Sequence, residues 1–208
     1  MRGLTVRFER CAWVIAAALV SLGCPDEKPV APSQSRFDGV ASKALTDEKR
    51  FCDKTWPAGA RPFQRPAIKP VEGAGATEPG KGWRWVNVWA TWCAPCVDEM
   101  ALLTRWKSAF EKDGLEVSFE MISIDEADAL PTMKTWLGRL PGSLQWVQAP
   151  DDVPAWLEHG VGISADSAIP IHVLVDPAGG QRCVRVGAVH AQDYGAVRAF
   201  LGAEATPK

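Results

Sequence analysis

Histidine is scarce in this chain: three occur among 208 residues, at 159, 172 and 190, and no two stand at HxxxH spacing. A second CxxC beside the one at 93–96 is also missing. A structural zinc site draws four ligands, usually from two local pairs, so both absences argue against zinc. Runs of lysine and arginine are lacking too. The formal charge is -2, and it becomes more acidic once the basic start, Arg2, Arg7 and Arg10 against Glu9, is set aside. An acidic body without basic runs argues against nucleic-acid binding. The apolar stretch Cys11 to Leu22 is too short to span a bilayer comfortably, and no internal repeat is visible.

What is present at the start reads as an export signal over residues 1–24, with three arginines leading into that apolar core. Val20-Ser21-Leu22-Gly23-Cys24 resembles a bacterial lipobox, in which the cysteine is lipidated and becomes the first mature residue. It departs from the pattern at Ser21, where Leu is preferred. Lipidation of Cys24, plain cleavage and a retained anchor stay open, and each exports the chain. Residues 25–45 are polar and rich in Pro, Ser, Lys and Ala, as suits a flexible tether. Over 46–82, Thr46-Asp47-Glu48 suggests a capped short helix carrying Phe51 and Cys52. Pro57 to Gly82 then reads as an irregular connection with a short hairpin around Phe63 to Val71. About 160 residues remain past the signal and tether, enough for one well-buried core.

The densest signal is Trp89-Ala90-Thr91-Trp92-Cys93-Ala94-Pro95-Cys96. Residues 83–90 read as a strand, and Cys96, Met100, Leu103, Trp106 and Phe110 recur at helical spacing. The cysteines therefore stand at a strand-to-helix turn, where the positive end of the helix dipole stabilises a thiolate at Cys93 and Cys96 is close enough to form a disulfide with it. Two inert core cysteines are a poorer reading with Pro95 between them.

Val86 to Met100, centred on this CxxC, resembles the active-site block of the TlpA/ResA-like thioredoxin-fold oxidoreductases, envelope proteins outside the cytoplasm. A second block, Ile169-Pro170-Ile171-His172-Val173-Leu174-Val175-Asp176 followed by Gly179-Gly180, is similar to the family's Pro-strand-Asp-Gly region. The resemblance covers about residues 80–202. It implies a thioredoxin-like fold, a redox-active dithiol and no cofactor. It also implies a cis Ile169-Pro170 bond facing the CxxC, where Ile169 and Pro170 would receive an extended substrate segment; a trans proline starting a strand is the alternative. Trp92 resembles the Trp that borders the family's active-site surface, and with Pro95 it counts as a substrate-binding candidate.

The coarse pattern agrees with an α/β fold, a mixed sheet flanked by helices over residues 83–204. A strand runs from Leu115 to near Asp125 and a helix follows to about Leu140. A strand at Leu144 to Gln148 and a helix at Val153 to Gly160 form a TlpA-like insertion between the two halves. Strands at Ile171 to Val175 and Arg182 to Val186 form a hairpin, and a helix over 191–202 closes the domain. Trp83, Trp85, Trp89 and Trp106 read as core.

Glu99 stands three residues after Cys96, on the same helical face. Thioredoxins of the cytoplasmic type keep an Asp where this chain has Asn87, whereas ResA-like members carry a Glu where Glu99 stands. Glu99 is thus either a proton handler for Cys96 or a solvated glutamate that complements the helix dipole. The three histidines read as solvated or satisfied. Cys52 and Cys183 remain once the other cysteines are assigned, and an oxidising compartment favours pairing them over two separate buried thiols.

The sequence thus points to a thiol:disulfide oxidoreductase on the periplasmic side of a bacterial envelope; the lipobox-like motif favours a lipid anchor at Cys24, and the resemblance implies recharging by a membrane thiol electron donor. Its partner is a client protein with a disulfide or thiols. Ala94-Pro95 resembles the Gly-Pro of reducing thioredoxins, which favours a reductase. The competing class is a thioredoxin-fold copper-binding or protein-binding module of the envelope.

Overall fold

Residues 51–74 and 81–203 of the computed structural model are described. The signal over 1–24 with Cys24, the tether over 25–45 and the helix cap expected at Thr46 lie outside them.

Two parallel strands set the sheet. β3 (Trp83–Trp89) pairs with β4 (Val117–Ser123), placing Trp85 opposite Phe119 and Asn87 opposite Met121. Both faces of these strands are covered, so their residues alternate between two cores. Trp83, Trp85, Trp89, Val117, Phe119 and Met121 enter one core; Val86, Val88 and Ile122 enter the other. β6 (Ile171–Val175) is antiparallel to β3, β7 (Gln181–Val186) is antiparallel to β6, and β5 (Ser143–Val147) is parallel to β4. Helix α1 (Ala94–Lys112) lays Met100, Leu103, Trp106 and Phe110 on the first core, joined there by α4 (Tyr194–Ala203) through Val197, Phe200 and Leu201. Trp85 anchors that core, stacked on Phe119 at 5.3 Å and edge-on to Trp106 at 5.8 Å. The second core is covered by α3 (Val153–Trp156) with the π-helical turn Leu157–Val161, and by Trp56, Phe63 and Ile68 of the N-terminal extension. This is the expected mixed α/β sheet with an insert between its halves.

The extension departs from the sequence reading. No hairpin forms around Phe63 to Val71. Instead β2 (Ile68–Pro70) pairs antiparallel with β5, Ile68 opposite Val147, and β1 (Lys54–Thr55) pairs antiparallel with β7. The order is therefore β1-β7-β6-β3-β4-β5-β2. Edge backbone on β5 and β7 needs partners, and two short strands of one segment supply them, which burying Ile68 makes favourable. Pro70 suits an outermost strand, where a missing N–H costs no ladder bond.

The helix expected up to Leu140 is also shorter. A 3₁₀ turn (Ala127–Ala129) leads into α2 (Leu130–Lys134), after which Trp136 and Leu137 donate to Met133 and Lys134 in successive tight turns. Met133 is the only fully buried residue of α2, so packing gives little reason to extend it. Gly138 then turns the chain at φ +76°.

Glu120 of β4 is buried beneath the extension, its Oε2 accepting from Arg65 Nη2 at 2.7 Å. Burial pushes its carboxyl above the ordinary 4.5, against the pull of Arg65 and Arg84. The folded state then binds this proton more readily than the unfolded chain, so stability falls as pH rises through the window from 4.5 to the raised folded value. Glu120→Gln removes that slope. Urea midpoints of the two proteins measured across mildly acidic pH check it, and parallel curves would contradict it.

Candidate active site

The strand that fills the core also delivers the dithiol. β3 ends at Trp89, and Ala90-Thr91-Trp92 turn the chain into α1, whose N-cap is Cys93 at φ -85° and ψ 99°. Cys93 Sγ accepts from Cys96 N at 3.3 Å, satisfying one of the free amides of the helix start. Pro95 lies in the first turn, where its missing N–H is not needed. Cys93 and Cys96 are joined by a disulfide, with Cα atoms 5.3 Å apart.

In the disulfide form Cys93 is 5 % exposed and Cys96 fully enclosed. The cover comes from the loop before β6: Ile169-Pro170 is cis, and the Ile169 carbonyl lies 3.7 Å from Cys93 Sγ. A groove of about 510 Å³ opens beside this contact, lined by Trp92, Ala94, Pro95, Ile124, Ala168 and Ile169. Trp92 is 67 % exposed, in contrast to the buried Trp83, Trp85, Trp89 and Trp106, so burying its indole is left to something other than the fold.

Asp125 holds this loop from the end of β4. Its carboxylate is buried and accepts from Thr91 N at 3.1 and 3.0 Å, from Thr91 Oγ1 at 2.7 Å and from Ser123 Oγ at 2.6 Å. Trp146 Nε1 donates to the Asp125 carbonyl at 2.7 Å. Thr91, two residues before Cys93, is therefore set by a partner 34 positions away. The sequence reading used Asp125 only as a strand end. An acidic residue closing an apolar strand is the signal that points to it.

Behind the disulfide lies a second polar cluster. Glu99 is 4 % exposed, so it is not the solvated glutamate of the alternative reading. Its Oε1 accepts from Asn87 Nδ2 at 2.9 Å and its Oε2 from Val189 N at 2.9 Å. His172 Nε2 stands 3.4 Å from Glu99 Oε2, and His172 Nδ1 meets Trp85 Nε1 at 3.0 Å. β3 and β6 bring these groups together, because Asn87 and His172 are register partners. His172 interrupts the otherwise apolar strand Ile171–Val175, which is the signal that could have found it. A groove of about 340 Å³ reaches Glu99 between Pro95, Leu102, Arg105, Val189 and His190.

Cys52 and Cys183 form a second disulfide, remote from the first, that joins the extension to β7. The structure thus brings Trp92, Cys93, Pro95 and Ile169 to one groove, whereas Pro170 is buried and does not line it, and Cys96 and Glu99 are buried beneath. Cys24 lies outside the described residues.

No protein-family model matches the chain. A thioredoxin-like protein from Porphyromonas gingivalis is similar at TM-score 0.53, with 18% identity over 70% of this chain and 94% of that one. A thiol-disulfide isomerase from Corynebacterium glutamicum is similar at TM-score 0.52, with 14% identity over 68% and 96% of the two chains. BsSco, a member of the Sco family of cytochrome c oxidase assembly proteins, is similar at TM-score 0.55, with 14% identity over 74% and 99%. The fold is thioredoxin-like.

Proposed function

We propose that this chain is an exported thiol:disulfide oxidoreductase that reduces disulfides of envelope client proteins through Cys93 and Cys96. The observation that carries the reading is the placement of this pair at the start of α1, with Cys93 bordering a groove that is also lined by Trp92 and Ile169. An extended client segment pairs there with Ile169 while Trp92 covers its side chains. Cys93 thiolate attacks the client disulfide, forming a mixed disulfide and releasing one client sulfur. Cys96 then gives its proton to Glu99 and attacks Cys93 Sγ, and the second client sulfur leaves with the bonding electrons. The client disulfide is reduced and the enzyme dithiol oxidised to the disulfide. A membrane thiol donor restores the dithiol.

Export through the signal at 1–24, with lipid anchoring at Cys24 and a tether over 25–45, belongs to the same proposal. The Cys52–Cys183 disulfide supports it, since structural disulfides persist in oxidising compartments. The domain over 83–204 then works at the end of its tether on the periplasmic side.

Insulin reduction by the DTT-recharged protein, set against a Cu(I) titration, tests the reading. Catalysed precipitation that disappears in Cys93→Ser is the expected result. Tight Cu(I) binding without reductase activity would transfer the assignment to the copper-binding alternative.

A further inference from the structure

Four buried polar side chains meet behind the dithiol, and each limits where its neighbours hold their protons. His172 is fully enclosed in β6, its Nδ1 3.0 Å from Trp85 Nε1 and 3.1 Å from Asn87 Nδ2. Indole and amide nitrogens only donate, so Nδ1 accepts and carries no hydrogen. The proton of the neutral ring therefore sits on Nε2, 3.4 Å from Glu99 Oε2. The amide orientation of Asn87 is consistent with this, because the same Nδ2 donates to Glu99 Oε1 at 2.9 Å. An imidazolium would set a new N–H against those of Trp85 and Asn87 within an enclosed site. It would also stand beside Arg185, the cross-strand partner of His172 on β7.

We infer that His172 is a neutral positioning residue, its proton locked on Nε2, that aims a donor at Glu99 and leaves Glu99 as the member of this cluster that takes up the Cys96 proton. The inference rests on the proposed role of Glu99 in resolution. In the disulfide form the Nε2–H makes no hydrogen bond, so it is a donor held in reserve 3.4 Å from the carboxylate oxygen. His172 does not pass the proton on, since Nδ1 already accepts from two donors and Nε2 already carries a hydrogen. The route out is the groove that reaches Glu99 between Pro95, Arg105 and His190. The titratable and charged groups around the pair are Cys96 on α1, Arg185 on β7, and Asp98, Arg105 and His190 lining that groove.

Two measurements on the full chain test this. Nitrogen-15 NMR of the histidine-labelled protein, oxidised and reduced, reads the tautomer directly. The Nε2–H form is expected in both redox states, as the two donors at Nδ1 require. An Nδ1–H tautomer or an imidazolium at neutral pH overturns the lock, and the wild-type protein alone suffices to show it. Single-turnover resolution of a mixed disulfide with a small disulfide probe reads the consequence. His172→Leu should slow it about tenfold, the size of one lost hydrogen bond to a charged group, and change its pH profile. His172→Gln, which keeps an N–H within reach of Glu99, should recover most of the rate. Glu99→Gln should slow resolution as well, and adding His172→Leu to it should cost nothing further. Wild-type kinetics in His172→Leu alongside a slow Glu99→Gln overturns the positioning role and leaves the proton acceptor standing. Wild-type kinetics in Glu99→Gln removes the acceptor itself and with it the functional part of the inference.

Discussion

Cys96→Ser is expected to stop turnover and to leave the client joined to Cys93 through a disulfide that DTT releases. In the proposed mechanism Cys93, which borders the groove, makes the first bond, and Cys96, fully enclosed, breaks it. A neighbouring thiol held in attacking position has an effective concentration far above any free thiol, so its loss should slow release by about a thousandfold or more. Cys93→Ser should trap little, because an enclosed Cys96 is a poor nucleophile toward a large partner. Expression of both variants in the native host, followed by mass spectrometry of DTT-releasable adducts, makes the comparison and names the client. Equal adducts from the two variants would contradict the assigned roles.

Removing the Cys52–Cys183 disulfide should have the largest effect on stability. The bond closes a loop of 131 residues between the start of the described chain and β7. Chain entropy alone assigns such a loop about 5 kcal/mol. The neighbouring contacts are modest by comparison: Asp53 N to the Val184 carbonyl at 2.8 Å, Val186 N to Asp53 Oδ2 at 2.7 Å, and two residue pairs of β1 on β7. The double variant Cys52→Ala, Cys183→Ala should therefore lose about 3 to 5 kcal/mol in urea unfolding, with Phe51 freed from its edge contact on Trp85. An unchanged midpoint would show that packing of Phe51 and β1 holds the extension without the bond.

The parts of the molecule that were legible beforehand are those written locally. Trp83, Trp85 and Trp89 alternate with Val86 and Val88, and the CxxC follows directly, so strand, turn and helix could be placed from one stretch of sequence. The pairing of Ile68–Pro70 with β5 could not, because three residues among prolines carry no period and their partner lies far along the chain. The same holds for the polar clusters. Asp125 reaches Thr91 across 34 residues, and His172 reaches Trp85 across 87, each through a register that only the assembled sheet defines. His172 has no local feature other than its charge-capable ring in an apolar strand. Its burial, and hence its fixed tautomer, depends on Trp85 and Asn87 arriving from β3.

Capping both sides of the sheet with one N-terminal segment also bears on where a foreign polypeptide can attach. Long bare strand margins invite indiscriminate pairing, which is how many β-proteins come to aggregate. Here the outermost strands are two and three residues long, and one of them ends in Pro70, so either margin offers an intruder a ladder too short to hold. Under the proposed function, backbone-mediated capture is thereby steered toward Ile169, whose carbonyl lies beside Cys93 Sγ. An unfolded chain drifting past would, on the proposed function, find adhesion and chemistry at the same place, a form of substrate selection exercised by the segment that caps the sheet.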